Sequence, residues 1–258
     1  MPSILIDQHE SVLRLTLNRP DVRNAFDEEV IAALTAAAVA AAAHSELRAV
    51  VLAGAGSVFC AGADLAWMSK AIAYSKRENL SDAEDLARML ERLDTLPVPV
   101  IGRVQGAALG GGVGLAAVCD IVIAADDAVF ALSEVKLGIL PAVIAPYVIR
   151  KIGVSAAREL FLTGVRFSAA RALAIGLVHE VVPASGLDEA VARRIRDVAS
   201  SGPRAIAVAK ALIREIAGAK PEDVLGLTTN TIAAQRVSDE GQEGMRAFLQ
   251  KRKPGWSA

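Results

Sequence analysis

Aromatic residues make up only 4% of the 258 positions, there are just two cysteines, and the three histidines, His9, His44 and His179, stand far apart. Cys60 and Cys119 lie outside any CxxC spacing, which argues against a disulfide framework and a thiolate metal site. Isolated histidines predict neither a His-based metal centre nor a Ser–His–Asp triad. No GxxxxGK[ST] phosphate loop, GxSxG elbow or HExxH helix occurs in the sequence. Charge of one sign is lacking too: 28 basic residues face 29 acidic ones, for a net charge of −1. Nucleic acid is therefore not expected as a partner.

Membrane-length apolar runs are also missing, although the mean hydropathy is +0.40. Val30–Ala43 and Gly106–Cys119 are 14 residues each, short of the roughly 20 that a spanning helix needs. The amino end, Met1–Asp7, offers no cationic segment followed by an apolar one. The expectation is a cytoplasmic protein with no membrane partner.

What is abundant is small aliphatic side chain. Hydrophobic residues other than glycine reach 53%, against about 45–50% with glycine counted in ordinary domains. Such a chain buries more than a monomer usually does, which points to interfaces between copies. The length suits one large domain that folds without staples.

Val12–Leu17 alternates and ends in a turn at Asn18-Arg19-Pro20, predicting a strand. Asp27 with Glu28 and Glu29 marks a helix start, Phe26 being placed to staple onto Ile31, and that helix runs to about His44. Arg48–Ala53 follows as a strand, 82–96 as a helix stopped by Pro97 and Pro99, 100–104 as a buried strand, and Ile121–Ala125 as another. A short helix is expected between 112 and 118. Beyond Ala142 helices dominate, at 154–162, 168–174, 187–200, 204–217, 221–237 and 239–250, with Leu177–Val182 as the one strand. The predicted organisation is an α/β core over 1–200 and a helical region over 201–258.

Two loops and one acid stand out chemically. In Gly54–Leu65, small residues leave backbone N–H groups open and Asp64 can cap a helix; a tight strand-to-helix connection would look the same. In Gly106–Gly114, consecutive glycines open a buried helix at a cost of about 1 kcal/mol each relative to alanine. Something must approach that backbone closely, and a helix amino end suits an oxyanion or phosphate. A dinucleotide fingerprint fits less well, because the glycine spacing is out of register. Glu134 sits in the apolar stretch Phe130–Val135. A lone glutamate is ordinarily solvated; buried beside a pocket it would have a raised pKa and could carry protons.

In order and at matching separations, these pieces resemble the enoyl-CoA hydratase/isomerase (crotonase) superfamily. The resemblance rests on Asn18-Arg19-Pro20 with Asn24-Ala25-Phe26, Phe59–Leu65, Gly106–Gly112, Cys119-Asp120, Ser133-Glu134 and Gly176-Leu177-Val178. It implies an α/β spiral of ββα units whose helical carboxyl end packs trimers, commonly paired into hexamers. It also implies an acyl-CoA thioester substrate, with coenzyme A as part of the substrate and no separate cofactor or metal. The backbone N–H groups of Ala63 and Gly111 would then form an oxyanion hole for the thioester carbonyl. Arg23, Ala25, Cys60 and Ala61 would hold the CoA moiety. Asp64, Leu65, Trp67, Met68, Leu109, Gly110, Ala142 and Tyr147 would complete the substrate contacts. Glu134 matches one of the two hydratase glutamates, and Gly114 takes the place of the other. Finer motifs, Ala63–Met68, Gln105–Ala108 and Ser133–Tyr147, resemble the bacterial branch of methylglutaconyl-CoA and isohexenylglutaconyl-CoA hydratases, whose substrates bear a second carboxylate. The resemblance thus implies a hydro-lyase acting on an enoyl-CoA. A Δ3,Δ2-enoyl-CoA isomerase using one glutamate and a non-catalytic acyl-CoA-binding relative remain the alternatives.

Overall fold

The computed structural model describes residues 1–256. Its centre is a strand with nothing polar to offer either face: β3 (Ala49–Gly54) is buried along its whole length, as a central parallel strand covered on both sides must be. It lies between β2 (Val12–Leu17), which buries Leu13, Leu15 and Leu17 on alternate positions, and β4 (Val100–Val104). The six-stranded sheet runs β1-β2-β3-β4-β6-β9, with β1 (Ile4–His9) antiparallel at one edge and β6 (Ile121–Ala125) and β9 (Glu180–Val182) continuing the parallel run. A second, three-stranded sheet joins β5 (Ala107–Leu109), β7 (Val129–Ala131) and β8 (Arg166–Ser168).

Chain order shows how the sheets are wound. A strand in the large sheet is followed by one in the small sheet and then by a helix: β4, β5 and α4 (Gly111–Val118), then β6, β7 and α5 (Ala145–Thr163). This is the α/β spiral of ββα units that the motifs implied. Helix α1 (Glu28–Ala42) begins as expected, with Asp27 Oδ1 accepting from the N–H groups of Glu29 and Val30.

The sequence reading missed several elements. α2 (Leu65–Ala73) is the helix that Asp64 was expected to cap, and α3 (Lys76–Asp94) starts before residue 82. Its start is a capping box: Ser75 Oγ accepts from Glu78 N–H at 3.3 Å while Glu78 Oε2 accepts from Ser75 N–H at 2.7 Å. α5 spans Ala145–Thr163 but is broken at Gly153 (φ 73°, ψ 164°), so the helix expected from 154 is its second half, and 145–152, with Pro146 in its first turn, is the part not expected. Strands β5, β7 and β8 are three residues each, too short for periodicity to register. β1 buries only Ile4 and is held by pairing with β2.

The carboxyl end is helical: α6 (Ala169–Ala174), α7 (Leu187–Ala199), α8 (Pro203–Gly218), α9 (Pro221–Val237) and α10 (Asp239–Leu249). Neither α8 nor α9 contains a buried residue, and Ile213, Leu225, Val237, Phe248 and Leu249 stand well exposed. No helix among the described residues is long and apolar enough to cross a membrane.

His179 takes part in the sheet rather than in chemistry. Its Nδ1 accepts the Val122 N–H at 2.9 Å, in place of a main-chain carbonyl. Partial desolvation, with Lys151 and Arg194 nearby, pushes its pKa down to about 4. The unfolded chain therefore binds a proton near pH 6.5 that the folded one refuses until about 4. Stability is full above that window and falls as pH drops through it. Urea midpoints measured from pH 7 to pH 4.5 should decline in the wild type. The decline should be shallower in His179→Asn, whose amide oxygen can accept the same N–H without titrating.

Candidate active site

The two glycine-rich loops lie against each other. Cys60 N–H donates to Ala107 O at 3.1 Å and Leu109 N–H to Cys60 O at 3.0 Å, so the loops pair briefly like strands. Glycine is needed because the backbones touch. At Gly62 (φ 90°), a Cβ would sit 2.7 Å from Leu109 O and 3.5 Å from Gly111 N. At Gly111 it would fall 2.7 Å from Cε1 of the buried Phe26 ring.

Hydrogen-bond accounting singles out two donors. Phe26 N–H donates to Gly62 O (2.9 Å), Asp64 N–H to Phe26 O (3.0 Å) and Gly110 N–H to Ala131 O (2.8 Å). Among the described residues, the N–H groups of Ala63 and Gly111 donate to no protein acceptor. Gly111 opens α4, so its N–H is a first-turn orphan at the positive end of a helix dipole.

Charged residues behind the loops hold them in place. Arg19 donates to Ala25 O at 2.6 Å and pairs with Asp27 and Asp64, each at 3.0 Å. Asn24, 1% exposed, donates through Nδ2 to Ala55 O and Val58 O. The Asn18–Pro20 and Asn24–Phe26 motifs signalled these positions but not their task. Asp64 takes up the cap that its place in the sequence suggested, its carboxylate accepting from Ala66 N–H (2.7 Å) and Trp67 N–H (3.3 Å), and it also binds Arg19. Burial opposes its ionisation, yet those N–H groups and the guanidinium outweigh burial and hold its carboxyl below the usual range. Its side chain braces the site and does not present itself to a ligand.

Glu134 stands across from the donors, in the short turn Glu134–Leu137 after β7. Its Oε1 lies 3.2 Å from where a Gly110 Cβ would be, so residue 110 must be glycine for the acid to come this close. Oε2 is buried without a hydrogen-bond partner. Burial raises its pKa above the ordinary carboxylate range, only partly offset by its own backbone N–H. Glu134, Ala63 and Gly111 share a cleft of about 160 Å³ with Phe26, Trp67, Leu86, Ala142 and Ile144, otherwise apolar in its walls. An unpaired acid facing two unpaired N–H donors can move a proton next to a carbonyl whose oxygen is held as an anion.

The remaining predicted residues divide. Arg23 is joined to Ala61, whose N–H donates to Arg23 O at 3.0 Å, so these two form one surface. Ala25 and Cys60 lie behind it with their side chains buried. The Cys60 thiol, fully buried, is pushed up to about 12 and accepts from Gly62 N–H. Leu109 and Gly110 continue the donor loop, and Leu65 is exposed at the start of α2. Met68 and Tyr147 are not among the residues lining the cleft; the Tyr147 ring lies under Arg150 at 5.5 Å. Gly114 does not reach the cleft either. It is buried beneath Ile144, and a Cβ there would come within 2.8 Å of the Ile144 Cβ and overlap Cγ2. The space beside Gly114 is thus filled by an aliphatic side chain. Gly114→Ala should cost about 1–3 kcal/mol through overpacking. In an Ile144→Ala background, which costs stability of its own, the same substitution should cost less, a coupling that a denaturation double-mutant cycle would measure.

The profile of the enoyl-CoA hydratase/isomerase family matches residues 7–258. The crystal structure of an enoyl-CoA hydratase from Shewanella pealeana superposes with a TM-score of 0.95 at 40% identity, covering 98% of this chain and 96% of that one. Pseudomonas aeruginosa AtuE gives a TM-score of 0.96 at 39% identity over 99% of this chain and 100% of its own. In sequence, the 2,3-dehydroadipyl-CoA hydratase of Escherichia coli K12 is 32% identical over 98% of both chains. The chain belongs to the enoyl-CoA hydratase/isomerase family.

Proposed function

We propose that this protein adds water across the 2,3 double bond of an enoyl-CoA thioester. The observation that carries the reading is the unpaired Glu134 carboxyl facing the free N–H groups of Ala63 and Gly111 in one apolar cleft. The thioester oxygen accepts from those two donors, which stabilise the enolate as charge moves onto it; each such donor is typically worth 10²–10³ in rate. Glu134 as carboxylate takes one proton from a water whose oxygen bonds to Cβ, then gives that proton to Cα. One acid in this way delivers both parts of the water. The Arg23–Ala61 surface is assigned to the CoA moiety.

The acyl group is proposed to be a branched glutaconyl type, on the strength of the Ala63–Met68 and Ser133–Tyr147 motifs and of a relative named for 2,3-dehydroadipyl-CoA. No cationic side chain lines the cleft, and an unpaired carboxylate is costly to bury. The substrate's second carboxylate is therefore placed at the open rim, by the exposed Leu140 and Ala142, where it can help order the attacking water.

One observation favours a second reading. With Ile144 filling the space beside Gly114, the chain has no second acid there. Shuttling a proton from Cα to Cγ of a 3-enoyl-CoA, an isomerisation, needs only one. The exposed apolar side chains of α8–α10 support assembly into trimers or pairs of trimers.

Glu134→Gln keeps the shape and removes the proton carrier, so turnover should fall by at least about 10²–10⁴ with acyl-CoA binding retained. In H₂¹⁸O, a hydratase places label on Cβ of a 2-enoyl-CoA product; conversion of a 3-enoyl-CoA without label would establish the isomerase instead. A non-catalytic acyl-CoA-binding protein would bind both thioesters and turn over neither. Sedimentation should show a trimer or hexamer, and a monomer at micromolar concentration would overturn the assembly.

A further inference from the structure

Trp67 and Asp82 belong to neither donor loop, yet they touch the supports of both. Trp67 lies in the first turn of α2, 8% exposed, and forms part of the cleft wall. Its indole Nε1–H donates to Asp82 Oδ1 on α3 at 3.0 Å. Its ring packs on Phe26, with centroids 5.9 Å apart and planes tilted by 54°. The Phe26 ring in turn occupies the space that a Gly111 side chain would need. The Trp67 backbone N–H donates to Asp64, the neighbour of Ala63. One indole thus bears on Gly111 through Phe26 and shares the Asp64 cap that follows Ala63.

A tryptophan ring in an apolar wall is free to turn about its side-chain bonds unless something directional stops it. The ring stacking is not directional enough to do so, and the indole N–H has one protein acceptor here, the Asp82 carboxylate. Asp82 lies on the inward side of α3, half-buried and one turn before Leu86. Burial raises its pKa, the Trp67 bond lowers it, and Glu28 and Asp85 raise it further. The bond from Trp67 is the one interaction among these that favours its charged form. Leu86, one turn along the same helix, lines the cleft beside Trp67.

We propose that Asp82 is a positioning residue for the acyl cleft: by accepting the indole N–H it locks the Trp67 ring against Phe26, and so fixes both the width of the cleft and the aim of the Gly111 donor. The inference rests on the acyl-CoA reading given above. Removing the acceptor frees the ring and costs turnover; replacing it with another acceptor does not. The CoA surface at Arg23–Ala61 includes neither Trp67 nor Asp82, so the effect falls on kcat and on discrimination between acyl chains rather than on affinity for the CoA moiety.

The test uses the full-length protein in a Trp256→Phe background, which leaves Trp67 as the sole tryptophan. Fluorescence quenching by acrylamide reports how firmly the indole is held, independently of any activity. Asp82→Leu should raise quenching clearly, lower kcat on the best enoyl-CoA about tenfold, as small misplacements of a positioned group do, and flatten the preference among acyl chains. Asp82→Asn, which keeps an acceptor oxygen, should stay within about twofold of the parent in all three readouts. Trp67→Phe keeps the ring stacking and loses the donor, and should match Asp82→Leu in kinetics. The proposal is overturned if Asp82→Asn is as impaired as Asp82→Leu, which would make the carboxylate merely structural. It is equally overturned if Asp82→Leu changes quenching but neither kcat nor chain preference. A parent protein that neither binds nor converts any acyl-CoA removes the underlying reading as well; an active parent indifferent to Asp82→Leu removes the positioning role alone.

Discussion

Two stretches of main chain pressed together set the rest of this protein. Where residues 60–62 run against 108–112, the backbones are too close for side chains at Gly62 and Gly112, and the Phe26 ring leaves no room for one at Gly111. Each glycine costs conformational entropy, about 0.5–1 kcal/mol relative to alanine. That cost is recovered because the contact satisfies Cys60, Leu109 and Ala107 with each other while leaving Ala63 and Gly111 with no acceptor of their own. Two unsatisfied donors side by side are a defect in a core and a binding site at the edge of a cleft. The spiral winding makes this edge, because each pass from the large sheet to the small one brings a loop back to the same place.

Electrostatics then separates two carboxylates of the same neighbourhood. Asp64 has the Arg19 guanidinium and two helix N–H groups, stays ionised, and is a brace. Glu134 has apolar walls and an oxygen without partner, its pKa raised by burial, and is free to exchange a proton. Environment divides their work, as it does wherever paired acids take different roles. The same reasoning explains why Ile144 matters. It fills the place beside Gly114, and Glu134 is the one acid among the residues described as lining the cleft.

Much of this was legible in the sequence, and the reasons can be named. β2, β3 and α1 followed from alternation, a continuous apolar run and an Asp27 cap, all signals carried by neighbours in sequence. The helices after Ala142 were legible for the same reason, except that the first turns of α5 were hidden behind Gly153 and Pro146. The glycine loops and Glu134 were visible as anomalies: glycines where a helix should start, an acid where everything else is apolar. Their meaning came from the order and spacing of the motifs.

Tertiary structure alone decided what those residues do. β5, β7 and β8 have no periodicity to read, since their pairing partners lie 20 or more positions away and supply the stability that three residues cannot. Asp64 and Cys60 were read as ligand contacts because they sit in the matching motif; the cap role of Asp64 was already legible, but its bond to Arg19, 45 positions away, and the complete burial of Cys60 come from the fold. That the Gly114 position is sealed by Ile144, and that Asp82 reaches across to Trp67, depends on which helix faces are opposed. The sequence by itself determined where backbone could run bare and where an acid would be conspicuous, because those are properties of single residues and near neighbours. Which donors are left unpaired, and which acid loses its water, is a matter of what packs against them from far along the chain.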